Sequence, residues 1–220
     1  MGQTVQLTAG DGHRFAAYRT TPAAAPRGGL VIVQEIFGVT QHMRNVADQY
    51  AAIGYTSVVP AMFERIEPGI ELPYTEIARG RDYAGRLRLD QTLLDLNAAI
   101  ASVACAGKKT GVVGFCWGGT IAYLAACEAA IAAAVAYYGG RITQYLDRKP
   151  RVPVMYHFGE LDRNIPLTAV EQIRAAHPQG IYHLYPAAHG FNCTERADYD
   201  AASARLAFDR TREFLARHIG

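Results

Sequence analysis

The stretch Thr110-Gly111-Val112-Val113-Gly114-Phe115-Cys116-Trp117-Gly118-Gly119 decides the reading of this chain. Its first six residues form an apolar run of strand length, the pattern of a strand buried on both faces. The residues that follow, Trp117 to about Glu128, read as a helix. Between the two lies Gly-x-Cys-x-Gly, which fits the sharp strand–turn–helix elbow that carries a nucleophile, with cysteine where serine usually stands. The turn is tight, so the residues two before and two after the nucleophile must be small, and Gly114 and Gly118 meet that need. It also aims the positive end of the helix at the sulfur, which favours thiolate over thiol. The Trp117 amide is then placed to donate to a tetrahedral oxyanion. The competing reading is a buried cysteine in a glycine-rich turn, where free cysteine serves as a small core hydrophobe.

Outward from the elbow, strand-like and helix-like segments alternate. Residues 5–7 and 15–18 read as a hairpin around Gly10-Asp11-Gly12, and 29–33 as a strand buried on both faces. A helix is expected over 43–53, ended by Gly54, then a second buried strand over 56–59, stopped by Pro60. From Pro60 to about Arg81 the pattern lapses, with Pro68-Gly69 and Pro73 marking an excursion. A long helix, 87 to about 104, carries Leu89, Leu93, Leu96 and Ile100 at spacings of three and four. Further strands are expected over 132–138, 154–158 and 181–185, with helices over 167–176 and 197–215. Five or six short buried strands separated by helices predict an α/β class, with a mostly parallel, twisted sheet and helices on both faces. No linker or repeat divides the chain, so residues 1–220 read as one domain. In such sheets ligands bind beyond the carboxyl ends of the strands.

Composition narrows the function classes. Twenty-two Lys and Arg against twenty Asp and Glu give a net charge of +2, too balanced for a nucleic-acid or anionic-membrane surface. The longest apolar run, residues 129–138, is too short to span a bilayer, and the first residues lack the build of a signal peptide. Four cysteines without a CxxC pair exclude a disulfide scaffold and a zinc finger. Cys127 lies eleven residues beyond Cys116 in the same expected helix, about 16 Å away, which excludes a disulfide between them. Cys105 and Cys127 read as packing residues. The expectation is a cytoplasmic protein with reduced thiols, a small-molecule substrate, and neither metal nor organic cofactor.

A thiol nucleophile needs a base, and the base an orienting acid. Among seven histidines, His189 stands in a loop just beyond the expected strand 181–185. His13, His42, His157, His177, His183 and His218 lie in or near turns, strands or helices and read as surface or satisfied polar residues. The segment after strand 154–158 offers two acids, Glu160 and Asp162. Each of these would by itself be an ordinary loop residue. The order nucleophile, acid, histidine on three strand ends is that of the α/β-hydrolase arrangement.

Taken together, the chain resembles the dienelactone hydrolase family of α/β-hydrolases. The resemblance is carried by Gln34-Glu35-Ile36-Phe37-Gly38-Val39 after the first long buried strand, by Gly114-Phe115-Cys116-Trp117-Gly118-Gly119, by Tyr137-Tyr138-Gly139 and by Ala188-His189-Gly190-Phe191. It implies an α/β-hydrolase fold, with Cys116 as nucleophile, His189 as base, Asp162 (rather than Glu160) as its partner, and the Ile36 and Trp117 amides as oxyanion donors. It further implies that Glu35 partners the resting thiol and takes its proton when substrate binds. Without the resemblance, Glu35 would read as a surface carboxylate in a loop.

The family holds a substrate carboxylate with arginines. By resemblance one falls in the excursion, where Arg79 with Tyr83 four residues on fits the spacing and Arg81 competes; Phe37 and Tyr137 are also expected to contact substrate. A second family arginine is replaced by Cys193 here, with Arg196 three residues further as substitute or as a solvated helix start. The implied activity is hydrolysis of a dienelactone-like lactone or small carboxylic ester through a cysteine acyl-enzyme. Two rival readings are a broad carboxylesterase and a non-catalytic thiol or small-molecule binding protein.

Overall fold

Residues 2–220 are described by a computed structural model of the chain. In chain order the elements are β1 (Gln3–Thr8), β2 (Arg14–Thr20), β3 (Gly28–Val33), α1 (Gln41–Ala52), β4 (Tyr55–Pro60), α2 (Ile77–Arg86) and α3 (Leu89–Ser102). They continue as β5 (Thr110–Phe115), α4 (Trp117–Glu128), β6 (Ala133–Tyr137), β7 (Val154–Gly159), α5 (Leu167–Ala176), β8 (Ile181–Tyr185) and α6 (Ala201–His218). The strands form one sheet in the order β1-β2-β4-β3-β5-β6-β7-β8. β3 through β8 run parallel, and the β1–β2 hairpin joins at one edge, where β2 pairs antiparallel with both β1 and β4.

Every residue of β3, β4, β5, β6 and β7 is buried. That explains why these strands read as continuous apolar runs, since helices cover both faces of the sheet. The chain leaves β3 toward β4 through α1, then crosses back to lay β5 on the other side of β3. This reversal opens a crevice above the ends of β3 and β5, where ligands bind in doubly wound sheets. Register levels the strand ends there: Val33 pairs with Gly114, Phe115 with Tyr137, and Gly159 with Tyr185.

The excursion expected between Pro60 and Arg81 is more ordered than its sequence. It holds a single 3-10 turn, Met62–Arg65, and then the ten-residue α2. That helix buries only Gly80, Tyr83 and Ala84, too narrow a stripe to produce a helical apolar pattern. The long helix expected from 87 begins at Leu89, because Leu87 is extended (ψ 129°) and separates α2 from α3. The last helix begins at Ala201, where the Asp200 side chain caps it by accepting from the Ser203 amide. Residues 197–200, expected in that helix, instead belong to the loop that follows β8.

Candidate active site

The elbow has the strain its sequence implies. Cys116 adopts φ 54° and ψ −115°, a left-handed region that non-glycine residues rarely enter. A Cβ on Gly114 would collide with the Gly118 carbonyl, and one on Gly118 with the carbonyls of Val33 and Gln34. The Cys116 amide is anchored to the Tyr137 carbonyl at 3.0 Å. Trp117 is the first residue of α4, so its amide has no acceptor within the helix. The Ile36 amide, in the loop after β3, enters no backbone hydrogen bond among the described residues. α2 presses on this loop, and only a glycine at position 80 clears the Ile36 carbonyl.

Three strand ends bring the thiol, the imidazole and the acid together. His189 Nε2 lies 3.1 Å from Cys116 Sγ, and Nδ1 lies 2.7 Å from Asp162 Oδ2. Asp162 Oδ1 accepts from the amides of Asn164 (2.8 Å) and Ile165 (3.2 Å), which leaves the other oxygen to orient the ring. Glu160 is exposed, so Asp162 is the acid that faces His189. Burial alone would keep His189 neutral. The Cys116 sulfur and the Asp162 carboxylate outweigh it and push its pKa up to about 10, the direction of an imidazolium.

Glu35 departs from the expected resting pair. Its carboxylate is buried and faces Arg196 at 3.5 Å, while the thiol is engaged by His189. The carboxylate's partner is the guanidinium, and the sulfur's is the imidazole. Burial raises the Glu35 pKa, with Arg196 and His189 opposing that rise. Cys193 lies fully buried next to Glu35, and burial together with that carboxylate pushes its thiol up to about 12. Arg196 is no solvated helix start: its side chain is 12% exposed, and its guanidinium lies 5.8 Å from the centre of the Phe37 ring.

A cavity of about 240 Å³ opens directly on the thiol. Cys116, His189, Ile36, Phe37 and Trp117 line it, together with three arginines, Arg81, Arg141 and Arg196. Arg81 also bonds Asn164 at 3.3 Å. The first choice by spacing, Arg79, stands elsewhere: it is half exposed, pairs with Glu76 at 3.1 Å and does not line the cavity. Tyr83 is buried, with its hydroxyl turned to Glu67. Tyr137 is likewise a correction. Its hydroxyl bonds Thr211 at 2.7 Å inside the core, because that side of β6 faces α6. Its neighbour Tyr138, at φ 38°, instead sets its ring 5.1 Å from His189.

Arg141, Asn164 and Tyr138 belong to the site and were not singled out from sequence. The available signal was position alone, since Tyr138 and Arg141 follow β6 and Asn164 follows β7. Among the other cysteines, Cys127 is buried as expected, whereas Cys105 is half exposed in a turn. Among the other histidines, His157 is satisfied by Tyr185 and Thr211. His42 and His177 each keep one buried ring nitrogen without a partner, so the satisfied reading fails for them. Among the described residues no helix is long and apolar enough to cross a membrane.

The sheet, the elbow and the order of the residues on its strand ends define an α/β-hydrolase. The model of the dienelactone hydrolase family matches residues 15–219, and the chain belongs to that family. It is similar to the carboxymethylenebutenolidase of Pseudomonas putida, at 35% identity over 226 residues that cover 96% of this chain and 95% of the relative. The carboxymethylenebutenolidase of Pseudomonas sp. (strain P51) is 32% identical, covering 97% of this chain and 94% of its own length. A crystal structure from Klebsiella pneumoniae subsp. pneumoniae, assigned as a dienelactone hydrolase, superposes with a TM-score of 0.86 at 27% identity over 99% of this chain and 100% of that one. The protein is a hydrolase acting on lactone or ester bonds.

Proposed function

We propose that the protein hydrolyses a lactone or small carboxylic ester that itself carries a carboxylate, through a Cys116 acyl-thioester. The observation that carries this reading is the arginine-walled cavity opening on a thiol already paired with His189. Arg81, Arg141 and Arg196 offer forked donors suited to a carboxylate, and the two carboxylates nearby, Glu35 and Asp162, are held by Arg196 and His189.

The Cys116 thiolate attacks the carbonyl carbon, and the Ile36 and Trp117 amides receive the oxyanion. As the carbon–oxygen bond breaks, the His189 imidazolium gives its proton to the leaving oxygen, and the thioester forms. In a lactone the leaving oxygen stays on the acyl group. Water then gives a proton to His189 while its oxygen attacks the thioester, which releases the acid and regenerates the pair. A working thiol needs a reducing compartment, which favours the cytoplasm.

The test compares a dienelactone carboxylate, its neutral methyl ester and p-nitrophenyl acetate on wild type, Cys116→Ala and Arg196→Met. Cys116→Ala should lose about 10⁴-fold in kcat on all three. Arg196→Met should lose about 30-fold more in kcat/KM on the carboxylate than on the neutral ester. Wild-type preference for the neutral ester would establish the broad carboxylesterase instead. Full activity in Cys116→Ala would remove the nucleophile assignment.

A further inference from the structure

Charge in the active-site cavity does not balance. Arg81, Arg141 and Arg196 line it, and no acidic side chain does. Arg196 is matched by Glu35 at 3.5 Å and by Asp198 at 3.6 Å. Arg81 bonds the neutral Asn164 side chain at 3.3 Å. Neither Arg81 nor Arg141 has a carboxylate within ion-pair distance among the described residues. Two guanidinium groups are therefore left over in a cleft lined by one sign of charge, which draws ligands of the other sign.

The sheet sets where these cations stand relative to the thiol. In strand order β5 lies between β3 and β6, so the loops after β3 and β6 flank the elbow that carries Cys116. The Arg196 guanidinium belongs to the β3 side, 5.8 Å from the centre of the Phe37 ring and 3.5 Å from Glu35. Arg141 stands in the loop after β6, and Asn164, which bonds Arg81, in the loop after β7. Neighbouring strands are about 4.8 Å apart, which separates the ends of β3 and β6 by about 10 Å. An acid seated on Arg196 over Phe37 thus lies to one side of the sulfur, and Arg141 is left to the other.

Arg141 is fixed at its backbone and open at its tip. Its amide donates to Thr120 Oγ1 at 3.1 Å, in the first turn of α4, and its carbonyl accepts from the Gln144 amide at 3.0 Å. A Cβ at position 139 would press on the Gly119 backbone, so glycine there lets the loop lie against that turn. The Cα of Arg141 is held beside a residue only four beyond the nucleophile. Its exposed side chain makes no hydrogen bond among the described residues, which leaves the planar fork for a ligand.

We propose, resting on the carboxylate-bearing ester assigned to this site, that Arg141 is a specificity-determining residue for a second acidic group of the substrate. The preferred substrate is then an ester or lactone with one carboxylate on each side of the reacting carbonyl. Arg196 meets one of them, Arg141 meets the other, and Arg81 adds positive charge above the cavity.

The test uses four esters on one skeleton, the half-ester of glutaric acid with 4-hydroxybenzoic acid. One has both carboxylates free, two have one or the other methylated, and the last has both methylated. Release of the phenol gives kcat/KM, divided for each ester by its rate of alkaline hydrolysis to remove leaving-group differences. On wild type the free diacid should exceed each monoacid by about tenfold. Arg196→Met should erase the advantage of one carboxylate and Arg141→Gln that of the other, with Arg141→Lys keeping part of it. A diacid no better than the better monoacid, with that monoacid still sensitive to Arg196→Met, would overturn the second group and leave the carboxylate-bearing ester standing. Arg141→Gln and Arg196→Met acting on the same carboxylate would likewise overturn it. An advantage from neither carboxylate would remove the underlying ester assignment and this proposal together.

Discussion

The buried Glu35 carboxylate and the Arg196 guanidinium, 12% exposed, meet at 3.5 Å across 161 residues of chain. Replacing Arg196 by Met leaves a buried carboxylate without its cation, a change that costs about 3 kcal/mol in buried pairs. Glu35 already has a raised pKa, and loss of Arg196 raises it further. An acid whose folded pKa is raised destabilises above that pKa and is relieved as it protonates. The deficit in urea unfolding of Arg196→Met should therefore be full at mildly alkaline pH and shrink as pH falls. Arg196→Lys should recover part of the stability and less of the carboxylate preference, because the ammonium lacks the planar fork.

His189 sets the alkaline limit. Its folded pKa is raised from the ordinary value near 6.5 to about 10. A base with a raised pKa contributes stability that is fully present below its ordinary value and is lost as pH rises through the folded one. The imidazolium proposed to protonate the leaving oxygen disappears over the same range. Both kcat/KM and the urea midpoint should then fall as pH approaches and passes about 10. Asp162→Asn removes one of the groups that raise the pKa, and should move the alkaline limb of kcat/KM down by about one unit or more.

The cysteines should differ in reactivity. Burial pushes Cys193 up to about 12 and also raises Cys127, so both remain thiols at neutral pH. Cys116 opens on the cavity beside His189. Iodoacetamide at neutral pH should modify Cys116 first, with loss of activity in parallel, and the half-exposed Cys105 more slowly. Peptide mass spectrometry reads the order. The rapid phase should be absent in Cys116→Ala.

A different pair holds the fold. Arg65 reaches Asp95 on α3 at 2.7 Å and Asp11 in the β1–β2 turn at 2.8 Å, tying the edge hairpin to a helix. Asp95 is 1% exposed. Arg65→Met should cost about 3 kcal/mol in urea unfolding by stranding that carboxylate, and Arg65→Met/Asp95→Leu should recover most of it.

The residues that were legible in sequence are those whose position is fixed by the chain next to them. Cys116 follows β5 by one residue between two obligatory glycines, and Asp162 and His189 follow β7 and β8 by a few. Arg196 is legible only as one of two alternatives, a substitute arginine or a solvated helix start. Its place depends on the turn after Gly190 (φ +78°), and its partner is supplied by the distant β3 loop. Tyr137 and Tyr138 were interchanged because strand alternation holds through β6 and then breaks at Tyr138, whose φ of 38° turns the ring toward His189. α2 stayed hidden because it is fastened by three buried residues, one of them a glycine chosen for closeness to Ile36.

The backbone at Cys116 favours a residue that cannot do the chemistry. At φ 54° and ψ −115° a glycine would sit without strain, so Cys116→Gly should leave a fold at least as robust as the wild type and wholly inert. The protein thus keeps its proposed nucleophile where folding alone would discard it. On the proposed mechanism, mutational drift toward greater robustness would run straight through the loss of function at this position.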